Sequence, residues 1–222
     1  MNLLDTLFIN RKIFNTATLL SAFCFLVNAV FLVWYNKFLP SLFGVFCSAA
    51  LAACMIAVML CTVKQHDNAV KGLFGIVFGV VFTYDLRFFA SHFDSYAEFG
   101  TYLFILKLVL DVLLAVLYLM ARDDPKGSSK FVPLCKIAFF VLMLASIANN
   151  LAYFVYDFTT PGNSIWLVQD FSETLAFILL YFSAISAACT VDKYKHIRSY
   201  YTSKGQWTEE LRKQTKSELF GE

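Results

Sequence analysis

Six apolar runs, separated by short polar connections, divide most of the chain: 13–35, 41–63, 72–90, 99–121, 132–156 and 165–191. A hydrocarbon core about 30 Å thick needs about 20 consecutive apolar residues, and each run meets that length. The pattern predicts an all-α fold, a polytopic integral membrane helical bundle of six transmembrane helices filling 1–191. The connections are short. Pro40 and the pair Pro161-Gly162 mark turns on one side, and Asp124-Pro125-Lys126-Gly127 marks one on the other. Links this short make neighbouring helices antiparallel.

Packing signals lie inside the runs. Gly75 and Gly79 form a G-x-x-x-G on the third, and Ser183 and Ala187 a small-x-x-x-small pair on the sixth. Both predict close approach of neighbouring helices, chiefly within the bundle. Cys47, Cys54 and Cys61 recur every seventh residue along one face of the second run, among many alanines. They read as small packing residues, because metal ligands must converge rather than form a line.

Composition agrees with the pattern. The chain is 59% hydrophobic with 25 Phe residues, against about 45–50% apolar in soluble domains; its mean hydropathy is +0.64. The formal net charge of +2 says little, but its distribution says more. Arg11, Lys12, Lys64, Lys71, Arg122, Lys126, Lys130, Lys193, Lys195 and Arg198 fall on one side of the six runs. The opposite loops hold Lys37 and the acids Asp94, Glu98 and Asp157. By the positive-inside rule both termini are expected in the cytoplasm; an uncleaved N-terminus with two cytoplasmic ends fits the plasma (inner) membrane, and an organelle membrane equally. The opening segment MNLLDTLFINRK lacks the early charge and small-residue cleavage site of a signal peptide.

Residues 192–222 form a basic cytoplasmic tail, expected to be partly helical. Thr208 is placed to cap a helix over 209–220, with Glu209 and Glu210 at its positive end. Basic and aromatic residues just past the last run are expected to contact anionic lipid.

The candidate chemistry is a polar layer in the outer half of the bundle. At about 1.5 Å rise per residue, Asn28, Asp85, Arg87, Lys107, Asp111, Asn149, Asn150, Gln169, Asp170 and Glu173 fall at comparable depth on five of the six runs. The second run contributes none. Ions inside a bilayer are costly, and usually face the bundle and mark function. Lys107 and Asp111, four apart, are expected to pair. Asp85 and Arg87, two apart, are each expected to find partners elsewhere. Tyr84, Tyr102 and Tyr153 lie close by. The layer holds more acids than bases, which favours a cation or an amine-bearing ligand. The expected ligand-binding residues are Lys107, Asp111, Asp170, Glu173, Asp85 and Asn150; structural pairing inside the bundle is the alternative use of the same groups.

No phosphate loop, zinc-protease helix, nucleophile elbow or dinucleotide fingerprint occurs. No cofactor, metal or nucleic-acid partner is implied, and the lack of a catalytic His or nucleophile motif weighs against an enzyme acting on lipid through Glu173 or Asp111. The leading expectation is binding or transport of a small solute or cation. The second is a membrane sensor whose basic tail meets a cytoplasmic partner. The expected partners are the lipid bilayer, a small-molecule or cation ligand, anionic lipid at the tail, and a further copy or partner subunit.

Overall fold

The computed structural model describes residues 3–35, 42–63, 67–92, 98–120, 131–159 and 164–220. Among the described residues every regular element is an α-helix: α1 (Leu3–Ile9), α2 (Arg11–Tyr35), α3 (Leu42–Val63), α4 (Asp67–His92), α5 (Glu98–Met120), α6 (Phe131–Thr159), α7 (Ser164–Ser203) and α8 (Glu209–Phe220). Four are long and apolar enough to cross a membrane, over Arg11–Trp34, Leu42–Thr62, Phe131–Leu151 and Val168–Ser203; α4 adds a shorter apolar stretch, Gly72–Leu86.

Helices α2 to α7 pack in chain order, each on the next, and α7 returns to α2, so the six close into a ring. Their inward faces supply the core, including Phe25, Leu51, Met55, Phe74, Leu114, Leu180 and Ile185. Their outward faces are apolar as well. Phe23, Val30, Trp34, Phe46, Ile137, Leu144 and Phe171 are all exposed, Trp34 at 74%. Soluble proteins rarely show contiguous apolar patches beyond a few hundred Å². An outer surface this apolar around an apolar core belongs to an integral membrane protein.

The α2–α7 seam is polar and close. Thr18 Oγ1 donates to Ser183 Oγ at 3.1 Å, and Ser21 Oγ donates to the Ala176 carbonyl at 2.8 Å. Ala17, Ala22, Ala184 and Ala188 are buried in the same core. Small side chains let the backbones approach, and the Thr18 and Ser183 hydroxyls, each also bonded to a carbonyl of its own helix, meet across the seam. Ser183 thus packs within the bundle as its spacing predicts. Gly75 and Gly79 do not. A Cβ built on either, or on Gly72, meets nothing within 4 Å. The buried face of α4 is instead Phe74, Val77, Phe78 and Val81, which turns the glycine stripe outward.

Two elements depart from the apolar pattern. Helix α1 is only seven residues long, yet it docks on α7. Phe8 is fully buried; it stacks on Phe182 at 5.0 Å and meets Phe139 and Phe140 edge-on at 6.1 Å. Ser186 Oγ donates to the Phe8 carbonyl. Asn10 then caps α2, its Oδ1 accepting from the Lys12 and Ile13 amides. Helix α7 does not stop with its apolar run at residue 191 but continues to Ser203. It ends where Gly205 takes φ +65°. There the Gly205 amide donates to the Thr202 carbonyl and the Gln206 amide to the Tyr201 carbonyl, the pairing that closes a helix on a left-handed glycine. Trp207 packs edge-on against Tyr194 at 6.2 Å. The Leu211 amide donates to Thr208 Oγ1 at 3.2 Å, and α8 turns back on α7 with Thr215 and Leu219 buried.

Candidate ligand-binding cavity

The polar layer converges on one side of the ring. A cavity of about 410 Å³ opens among α4, α5, α6 and α7, inside the ~300–1,000 Å³ range of small-molecule sites. Each helix brings polar groups because the apolar pattern is broken on the face it turns inward. Asp85 and Tyr84 come from α4, Lys107 from α5, Ser146, Asn149 and Asn150 from α6, and Asp170, Glu173, Thr174 and Tyr181 from α7. Leu103, Phe104, Leu142, Phe177 and Ile178 complete the wall.

Four of the polar contacts bridge two helices. Lys107 Nζ donates to Asp85 Oδ1 at 2.7 Å, joining α5 to α4. Tyr84 OH donates to Glu173 Oε1 at 3.1 Å, joining α4 to α7. Tyr181 OH donates to Asp111 Oδ1 at 2.8 Å, joining α7 to α5. Asn150 Nδ2 donates to Thr174 Oγ1 at 2.9 Å, joining α6 to α7, and also to the Ser146 carbonyl. The Lys107 ammonium lies 3.5 Å from the centroid of the Phe177 ring, within cation–π range.

The cavity wall includes five of the six expected residues: Lys107, Asp85, Glu173, Asp170 and Asn150. Asp170 is exposed. Asp111 is off the wall, its carboxylate reached through Tyr181. The expected Lys107–Asp111 pair is not the one formed. The i,i+4 rule compares residues of one helix, whereas α4 presents Asp85 to the same ammonium at hydrogen-bond distance. Asp85 does find its partner on another helix, as its position predicts. The side chains of Arg87 and Tyr153, and the basic residues Lys64, Arg122, Lys126 and Lys130, lie outside the described set.

Asn28 belongs elsewhere. Its Nδ2 donates to Ser48 Oγ at 3.2 Å between α2 and α3. The second run therefore does carry a buried polar group; a serine among alanines gives little hydropathy signal. Tyr181, Thr174 and Phe177 went unnoticed at the sequence level. Their signal is spacing: residues 170, 173, 174, 177 and 181 recur every three or four positions and form one stripe of α7.

Several acceptors remain unused. Asp85 Oδ2 and Asp111 Oδ2 have no hydrogen-bond partner, and the two residues are 4% and 2% exposed. Buried polar atoms of native proteins are nearly always paired, so each orphan calls for an explanation. Unpaired carboxylate oxygens are acceptors in want of a donor or a cation. Among the described residues, no group of three or more His, Cys, Asp or Glu side chains is arranged to hold a metal ion, and all six cysteines are free thiols.

Comparison of the chain with protein-family models, with curated proteins and with solved structures finds no match.

Proposed function

We propose that the protein crosses the membrane six times, with both termini cytoplasmic, and binds or transports a small solute or cation through the α4–α7 cavity in the outer half of the bundle. The single observation that carries the reading is Asp85, a wall residue of the cavity whose buried Oδ2 has no hydrogen-bond partner. Lys107 pairs with Asp85, whereas Glu173 accepts from the Tyr84 hydroxyl and Asp111 from the Tyr181 hydroxyl, both neutral donors. Carboxyl groups held by neutral donors suit a positively charged guest. Two cytoplasmic ends fit a plasma (inner) membrane, and an organelle membrane equally.

The test is native mass spectrometry of protein purified in mild detergent, wild type beside Asp85→Asn. A small molecule carried by the wild type and lost from the mutant, with both inserted and folded, is the expected result. A clean protein mass in both would instead make the layer a structural clasp.

One observation favours a second reading, a membrane sensor. Helix α7 runs unbroken from the cavity residues Asp170 and Glu173 to Ser203, and α8 packs against it. A change at the cavity would be carried along a rigid rod to the basic tail, where anionic lipid or a cytoplasmic partner could respond. Deleting residues 204–222 should then abolish signalling while leaving ligand binding intact; a fully active truncation rules this reading out.

A further inference from the structure

The Lys107 ammonium sits between a ring face and a carboxylate. Its Nζ is 3.5 Å from the Phe177 centroid and 2.7 Å from Asp85 Oδ1. That is how proteins hold amine and quaternary ammonium ligands: the ring quadrupole attracts the charge and a carboxylate orients it. The remainder of the wall fits such a guest better than a bare ion. A volume of about 410 Å³ far exceeds one ion, and Leu103, Phe104, Leu142 and Ile178 offer apolar surface to the carbon part of an organic cation, beside the oxygen-bearing side chains of the same wall. The carboxylate has spare capacity, since Asp85 Oδ2 is unpartnered.

Lys107 also has another place to go. Asp111 lies one turn further along α5, within reach of a lysine at i,i+4. Its Oδ2 is buried and unpartnered while its Oδ1 is held by Tyr181. A lysine side chain has four rotatable carbons and a compact charge, so it moves between two such acceptors without backbone change.

We propose that Lys107 is a built-in ammonium that holds the Phe177–Asp85 seat until an organic ammonium ligand takes it, and that Lys107 then swings to Asp111. The inference rests on reading the cavity as a cation site. It adds the ligand class and a competitor supplied by the chain itself.

The probes are methylammonium chloride and potassium chloride, titrated calorimetrically into the full chain in detergent at constant ionic strength. Three proteins are compared: wild type, Lys107→Met, and Lys107→Met combined with Phe177→Leu. Removing the competitor should tighten methylammonium binding at least tenfold, with a much smaller gain for potassium, and the Phe177→Leu change should take the gain away. Equal gains for both cations, or a gain that survives loss of the ring, would mean that only net charge had changed; the seat would fall and the cation reading would stand. No saturable binding of either cation to any of the proteins would overturn both. Should Lys107→Met not fold, Lys107→Arg keeps the charge and grips Asp85 through two nitrogens. It must bind methylammonium more weakly than wild type, and an unchanged affinity overturns the proposal.

Discussion

At the scale of residues, the site is a set of donors each committed to a different helix. Tyr181 OH supplies the hydrogen bond to Asp111 Oδ1. Leaving a buried acceptor unsatisfied costs about 1–3 kcal/mol, more when the group is charged. Tyr181→Phe should therefore lower stability by about that range, and by less in an Asp111→Asn background, where the Tyr181 hydroxyl no longer meets a carboxyl group. A double-mutant cycle read by denaturant titration in detergent checks the coupling; a cycle that closes with no interaction energy would mean the bond contributes nothing. The charged residues of the cavity wall were legible as a polar layer in the sequence, because ions inside apolar runs stand out and their depth follows from rise per residue. Their partners were not. Lys107 has Asp111 one turn away, yet meets Asp85 from a helix that no local rule can see. Tyr181 and Phe177 were hidden because aromatic residues in an apolar run look like lipid-facing bulk until their register with Glu173 is counted.

Elements repeat the lesson with different physics. The described helices α2, α3 and α5 lie along three of the apolar runs, since lipid demands helix wherever the run is long. Helix α1 left no such trace: seven residues are too few to register as a run, and Phe8 is buried by Phe139, Phe140 and Phe182 from distant helices. The length of α7 was missed for the opposite reason. Hydropathy ends near residue 191, but no Gly or Pro interrupts the helix before Gly205. The contribution of α1 is measurable. Phe8→Ala deletes a fully buried ring, a change that costs about 3–5 kcal/mol in well-packed cores. A clear drop in melting temperature, with α1 more open to protease, is expected; an unchanged melting curve would make α1 a passive appendage.

For the whole molecule, the closed ring of α2 to α7 sets the topology question. If all six cross the bilayer, a cysteine placed at Gly162 and one placed at Gly127 must lie on opposite sides. In a background with the six native thiols replaced, a membrane-impermeant maleimide should label Gly162→Cys on intact cells and Gly127→Cys only after permeabilisation. Labelling of both from one side would break the six-span arrangement. The seam between α2 and α7 carries a further consequence, one of timing. The Thr18–Ser183 and Ser186–Phe8 contacts join residues 165 and 178 positions apart, so α1 and α2 leave the ribosome long before their partners exist. The four walls of the cavity are likewise complete only once α7 has been made. Until then the early helices must wait in the bilayer without these cross-seam contacts, exposed to capture by quality-control factors. A mutation at this seam would therefore show first as shortened lifetime during biogenesis, before any weakening of the finished protein.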